Sequence, residues 1–99
     1  MYEYKLLGPA EKFIKKVKDK GLKEKIQHTL VRIFKDPYCG KAKIGGLQGV
    51  RSLDLYHAGV NYEIGYEIYE SDKFIVVYLI GARENFYKEF ARVYRSSKG

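Results

Sequence analysis

Arg83 stands two residues after Gly81, where the most apolar run of the chain, Phe74 to Ile80, comes to an end. A guanidinium leaving a buried strand lies at the rim of the sheet, and its planar fork can hold a phosphate through two N–H donors. The competing reading is a salt bridge from Arg83 to Glu84 or Glu67. Tyr87 falls one position off the aromatic spacing of Phe86, Phe90 and Tyr94, which frees it to face solvent. Glu63 sits in an alternating strand pattern, either as a carboxylate beside Arg83 able to take a proton or as a surface partner of Arg51. Lys41, Lys43 and Arg51 lie on or just before the first strand of that sheet. They could contact nucleic-acid phosphates without reading sequence, or be no more than solvated loop charge. The other reactive residue types carry less. His57 lies in a turn with no His or Cys at ligand spacing, and His28 shares a helix with Lys25 and Arg32. Cys39 has no nearby histidine to activate it. No metal and no cofactor is expected. The 10 tyrosines could stack on bases, but alternating tyrosines pack sheets as readily, so most are read as structural.

The elements that must position these residues follow from periodicity. Tyr2 to Leu7 reads as a short strand entering a turn at Gly8-Pro9, with Pro9 in the first turn of a helix. Ala10, Phe13, Ile14 and Val17 form one apolar stripe, and Gly21 is expected to cap that helix. Leu22, Ile26, Leu30, Ile33 and Phe34 form a second stripe that Asp36-Pro37 ends. The pair is a helical hairpin. Residues 36–49, punctuated by Pro37 and four glycines, read as an irregular loop. From Val50 the period falls to two. Arg51, Leu53 and Leu55 oppose Ser52, Asp54 and Tyr56; Tyr62, Ile64, Tyr66 and Ile68 oppose Glu63, Gly65, Glu67 and Tyr69. Turns at 57–60 and 71–72 join these strands to the apolar run, which belongs inside a sheet, and a last helix carries Phe86, Phe90 and Tyr94. The expected fold is α+β: an N-terminal strand, a helical hairpin, a three-stranded antiparallel meander with the N-terminal strand on its edge, and a C-terminal helix. The hairpin should cover one sheet face, leaving the face with Glu63 and Glu67 partly open as the place for function.

Ninety-nine residues suit one domain, residues 1–99. The net charge is +7, and it is lopsided: residues 1–50 hold twelve Lys and Arg against five acids, whereas residues 51–99 hold seven of each sign. Such a field attracts nucleic acid, an acidic peptide or an anionic surface, although lysine-rich helix faces also serve solubility. A lone cysteine excludes an intramolecular disulfide framework and points to a cytoplasmic protein. Neither a signal peptide nor a membrane-length apolar run is read from the sequence.

In this order of elements the chain resembles the RelE/ParE superfamily of toxins from type II toxin–antitoxin pairs. The resemblance rests on Asp36-Pro37-Tyr38-Cys39-Gly40-Lys41, Leu47-Gln48-Gly49, Tyr62-Glu63-Ile64-Gly65-Tyr66 and Gly81-Ala82-Arg83, followed by Phe86-Tyr87. It implies a toxin, monomeric when free, held silent by a cognate antitoxin that wraps it with an extended and often acidic segment. Its first implied activity is ribosome-dependent mRNA cleavage, a metal-free attack by a ribose 2′-oxygen on the adjacent phosphate. Arg83 would then stabilise charge, Tyr87 act as acid or stacking group, and Glu63 act as base. Two alternatives are a non-catalytic, ParE-like inhibitor of DNA gyrase and an inactive member of the fold. The departures matter here. Glu63 stands where the family's strand usually has arginine, and Ser52 and Asp54 stand where cleaving members often have lysine.

Overall fold

The computed structural model describes residues 1–42, 47 and 49–98. Lys43 therefore lies outside the described residues. The chain runs β1 (Glu3–Leu6), α1 (Gly8–Lys16), α2 (Lys20–Lys35), β2 (Val50–His57), β3 (Val60–Tyr69), β4 (Phe74–Ala82) and α3 (Phe86–Lys98). The fold is α+β, with a four-stranded sheet in the order β1-β4-β3-β2. The β2–β3 and β3–β4 pairs are antiparallel, and β1 joins the edge parallel to β4, with Glu3 beside Phe74 and Leu6 beside Val77.

The two helical stripes bury as their spacing requires. Ala10 and the α2 residues Leu22, Ile26, Leu30, Ile33 and Phe34 pack on Leu53, Ile64, Tyr66, Ile68, Ile75, Val77 and Ile80. Each such large aliphatic contributes about 1.5–3 kcal/mol on leaving water. The helix boundary departs from expectation. α1 stops at Lys16, with Val17 extended, and Gly21 lies inside the first turn of α2. Asp19 is the reason: its carboxylate accepts the Leu22 N–H at 3.1 Å, satisfying a donor that the helix start would leave orphaned. Gly21 instead leaves room for the His57 ring, which a Cβ there would meet at 3.0 Å.

The second sheet face, expected to be partly open, is open only at one end. α3 lies across it, and Phe86 and Phe90 join Val50, Tyr78 and Leu79 in a second buried cluster. Gly65 permits this approach, because a Cβ there would come within 2.6 Å of the Phe90 ring. A bulge in β4 supplies the other side chains. Gly65 pairs with Leu79 and Tyr66 with Val77, so Tyr78 is the extra residue. Val77 and Ile80 thus face the helical hairpin, while Tyr78 and Leu79 both face α3. Glu67 is buried there, accepting the Tyr78 hydroxyl at 2.7 Å and the Tyr69 hydroxyl at 2.9 Å, with Lys98 of α3 3.2 Å away.

Candidate functional site

What α3 leaves uncovered is a hollow of about 360 Å³ at the end of the second face, lined by Lys41, Ser52, Asp54, Glu63, Arg83 and Tyr87. Its construction begins at the β2–β3 turn. Ala58 and Gly59 both have positive φ, 49° and 83°, as a two-residue hairpin turn of matching twist demands. That turn fixes the register at His57 opposite Val60 and therefore puts Asp54 directly opposite Glu63. Gly81 is the β4 neighbour of Glu63, and a Cβ there would touch nothing within 4 Å, which keeps the hollow open. Lys41 is pinned at its mouth by paired backbone hydrogen bonds with Ser52, at 2.7 and 3.0 Å.

Arg83 leaves β4 in a single 3₁₀ turn, Arg83–Asn85, and folds back over the two acids. Its Nε donates to Glu63 at 2.8 Å and its Nη2 to Asp54 at 3.2 Å. The hydrogen bond to Glu63, then the charges of Glu63 and Asp54, push the guanidinium above its ordinary value. Its partners are thus Glu63 and Asp54, not the Glu84 or Glu67 of the competing reading; of the two readings for Glu63, the structure places it beside Arg83 and not with Arg51. The Glu63 side chain is only 3% exposed beneath a half-exposed Arg83. Tyr87, at 44% exposure, stands on the first turn of α3 with its ring edge-to-face on Phe86.

Arg51 is not part of this hollow. It points to the opposite face, where Nη1 donates to the Gly40 carbonyl at 2.7 Å and the guanidinium lies 5.0 Å from the Tyr38 ring centroid. It fastens the loop after α2 to β2. Cys39 lies on that loop, and burial pushes its thiol up, away from the reactive thiolate. The part of the site that sequence reasoning missed is Asp54 as a partner of Arg83. The signal was present, since a two-residue turn at Ala58-Gly59 sets which acids face each other.

The family model of the ParE-like toxin of type II bacterial toxin–antitoxin systems matches residues 6–91. The chain belongs to that family. The resemblance to RelE/ParE toxins read from Arg83, Tyr87 and the loop at Asp36 is thereby borne out. Solved structures agree at the level of the fold. The intact E. coli RelBE toxin–antitoxin complex matches with a TM-score of 0.69 at 20% identity, over 85% of this chain and 99% of that one. An E. coli RelE variant in complex with an antitoxin RelBc peptide matches with a TM-score of 0.67 at 19% identity, over 97% and 93%. The RelBE2 toxin–antitoxin complex of Mycobacterium tuberculosis matches with a TM-score of 0.61 at 19% identity, over 83% and 98%. No curated protein sequence is a significant match. Among the described residues, no helix is long and apolar enough to cross a membrane.

Proposed function

We propose that this ParE-like toxin arrests growth by binding a protein target, with DNA gyrase the target the resemblance offers, and that a cognate antitoxin silences it. The observation that carries this reading is the closure of Arg83 by Glu63 and Asp54. Lys41 and Arg83 bring two positive charges to the hollow, and the two acids cancel them. A phosphodiester entering it meets a guanidinium already engaged at Nε and Nη2, with the Asp54 carboxylate beside it, and like charge at that range opposes it. A carboxylate as buried as Glu63 also cannot reach a 2′-hydroxyl. The test is a supercoiled-plasmid assay with purified gyrase and this chain. The reading predicts stabilised gyrase–DNA breaks that persist with Arg83→Ala. Unchanged gyrase turnover with no breaks would refute gyrase as the target.

A second reading, ribosome-dependent mRNA cleavage, draws on the meeting of Lys41, Arg83 and Tyr87 around one hollow. The 2′-oxygen would attack phosphorus, and the P–O5′ bond would break to leave a 2′,3′-cyclic phosphate and a 5′-hydroxyl. Asp54, 40% exposed, would take the 2′ proton in place of Glu63, and Tyr87 would protonate the leaving oxygen. Lys41 and the Arg83 Nη1, which carries no hydrogen bond among the described residues, would face the phosphate.

A further inference from the structure

The joint between α1 and α2 is densely cationic: residues 12–25 hold seven lysines against two acids, Asp19 and Glu24. Lys15, Lys16, Lys18 and Lys20 are exposed, and none of the seven lysines forms an ion pair among the described residues. Asp19, at the centre of the joint, is occupied internally. One of its carboxylate oxygens accepts the Leu22 N–H at 3.1 Å, and the other lies 3.1 Å from His57 Nε2. Glu24 is the remaining acid, exposed one turn along α2 from Lys20. The His57 contact and a hydrogen bond from Lys25 Nζ to the Tyr56 carbonyl, at 2.8 Å, fasten the tip of the β2–β3 hairpin beside the joint. That tip, residues 56–61, carries no acid, and its turn residues Ala58 and Gly59 are exposed. Asp54 of β2 lines the hollow on the other sheet face, where Arg83 holds it.

We propose that this joint and the hairpin tip beside it form a docking surface for duplex DNA, held through its phosphates without reading sequence. Lysine suits that role: it is a compact point charge that meets a phosphate and lacks the fork that reads base edges. An acidic protein segment would need apolar anchors, yet the apolar side chains of the joint face inward. Leu22 and Ile26 are buried, and Phe13, Ile14 and Val17 pack on the core. A single strand would need rings on which to stack, and residues 15–25 contain no aromatic. An RNA duplex has a major groove too deep and narrow to enter, whereas that of B-DNA, about 12 Å wide, admits a two-stranded ribbon such as β2–β3. The acid-free tip enters the groove, and the lysines meet the backbone beside it. The surface is separate from the hollow at Arg83, so the inference stands whichever target the toxin acts on.

The measurement is fluorescence anisotropy of a short labelled DNA duplex titrated with the purified chain, with far-UV circular dichroism on each variant. The parent should bind with a Kd on the order of micromolar at about 50 mM salt, and log K should fall against log salt with a slope of about −3 to −4, as for about four phosphates. K18Q/K20Q should weaken binding by about tenfold or more and make the slope shallower by about two. K12Q/K15Q should do the same from α1, so the result does not hang on one variant. K35Q/K88Q removes equal charge elsewhere, with Lys35 about 22 Å along α2 from Lys20 and Lys88 on α3. It should bind within about threefold of the parent, because charges that far off are screened. Ala58 has φ 49°, a conformation that Asn and Asp tolerate. Ala58→Asn should therefore bind as the parent does, and Ala58→Asp about fivefold more weakly or worse. No binding by the parent, equal losses in K18Q/K20Q and K35Q/K88Q, or equal affinity of Ala58→Asp and Ala58→Asn would overturn the proposal. So would an RNA duplex of the same sequence bound as tightly, or a phosphatidylserine vesicle bound where the DNA is not.

Discussion

Asp54 and Glu63 face each other directly across β2 and β3, and Arg83 bridges them through two nitrogens of one guanidinium. Like charges opposite one another destabilise a sheet, so the bridge is first a structural necessity. Arg83→Ala should lower stability measurably, because it leaves the buried Glu63 carboxylate without its partner, with the exposed Asp54 end adding little. Much of that loss should vanish in Glu63→Gln/Arg83→Ala, since the buried carboxylate would no longer stand alone. Urea denaturation of the double-mutant cycle measures both.

Glu67 is the second buried acid, and it ties α3 to the sheet. Glu67→Ala should destabilise by about 2–4 kcal/mol, because the hydroxyls of Tyr78 and Tyr69 lose their acceptor and a cavity opens. The cost should appear first as faster amide exchange in α3, with α1 and α2 protected as before.

Gly65→Ala forces a Cβ against the Phe90 ring. Overpacking of this kind costs about 1–3 kcal/mol. Thermal unfolding should show the loss, and near-ultraviolet dichroism should change because Phe90 packs against both Tyr78 and Tyr94.

Glu70 gives a pH test. Hydrogen bonds from Lys73, Tyr38 and Tyr2 hold its carboxyl at about 2, below its ordinary 4.5. A depressed carboxyl adds stability above its unfolded value and loses it as the acid form takes over. The parent should therefore lose stability between about pH 4.5 and 2 that Glu70→Gln does not lose. Melting temperatures across that window report the difference.

The stripes of α1 and α2 were legible because helical burial is a local pattern: Leu22, Ile26, Leu30, Ile33 and Phe34 are all buried. The sheet and its N-terminal edge strand were legible for the same reason. What escaped depends on partners distant in sequence. The bulge at Tyr78 puts two consecutive residues on one face, which an unbroken apolar run cannot reveal. The burial of Glu67 follows from α3, whose Phe86–Phe90–Tyr94 stripe needed a surface that the helical hairpin did not occupy. Gly65, between two acids on the supposedly open face, was the clue that something packs there. Gly21 misled because glycine ends many helices, whereas Asp19 two residues earlier starts one. Of the residues chosen from the sequence, the hollow brings together Lys41, Glu63, Arg83 and Tyr87 and leaves out Arg51; the charge balance among them was not legible, because it turns on Asp54.

The central claim is that Arg83, neutralised by Asp54 and Glu63, is not a phosphate-binding centre. Primer extension on mRNA from a purified translation reaction, with this chain added, tests it most directly. The account predicts no new 5′ ends over the reaction without the chain. Codon-phased fragments ending in a 2′,3′-cyclic phosphate, abolished by Arg83→Ala in a variant shown to be folded, would contradict it.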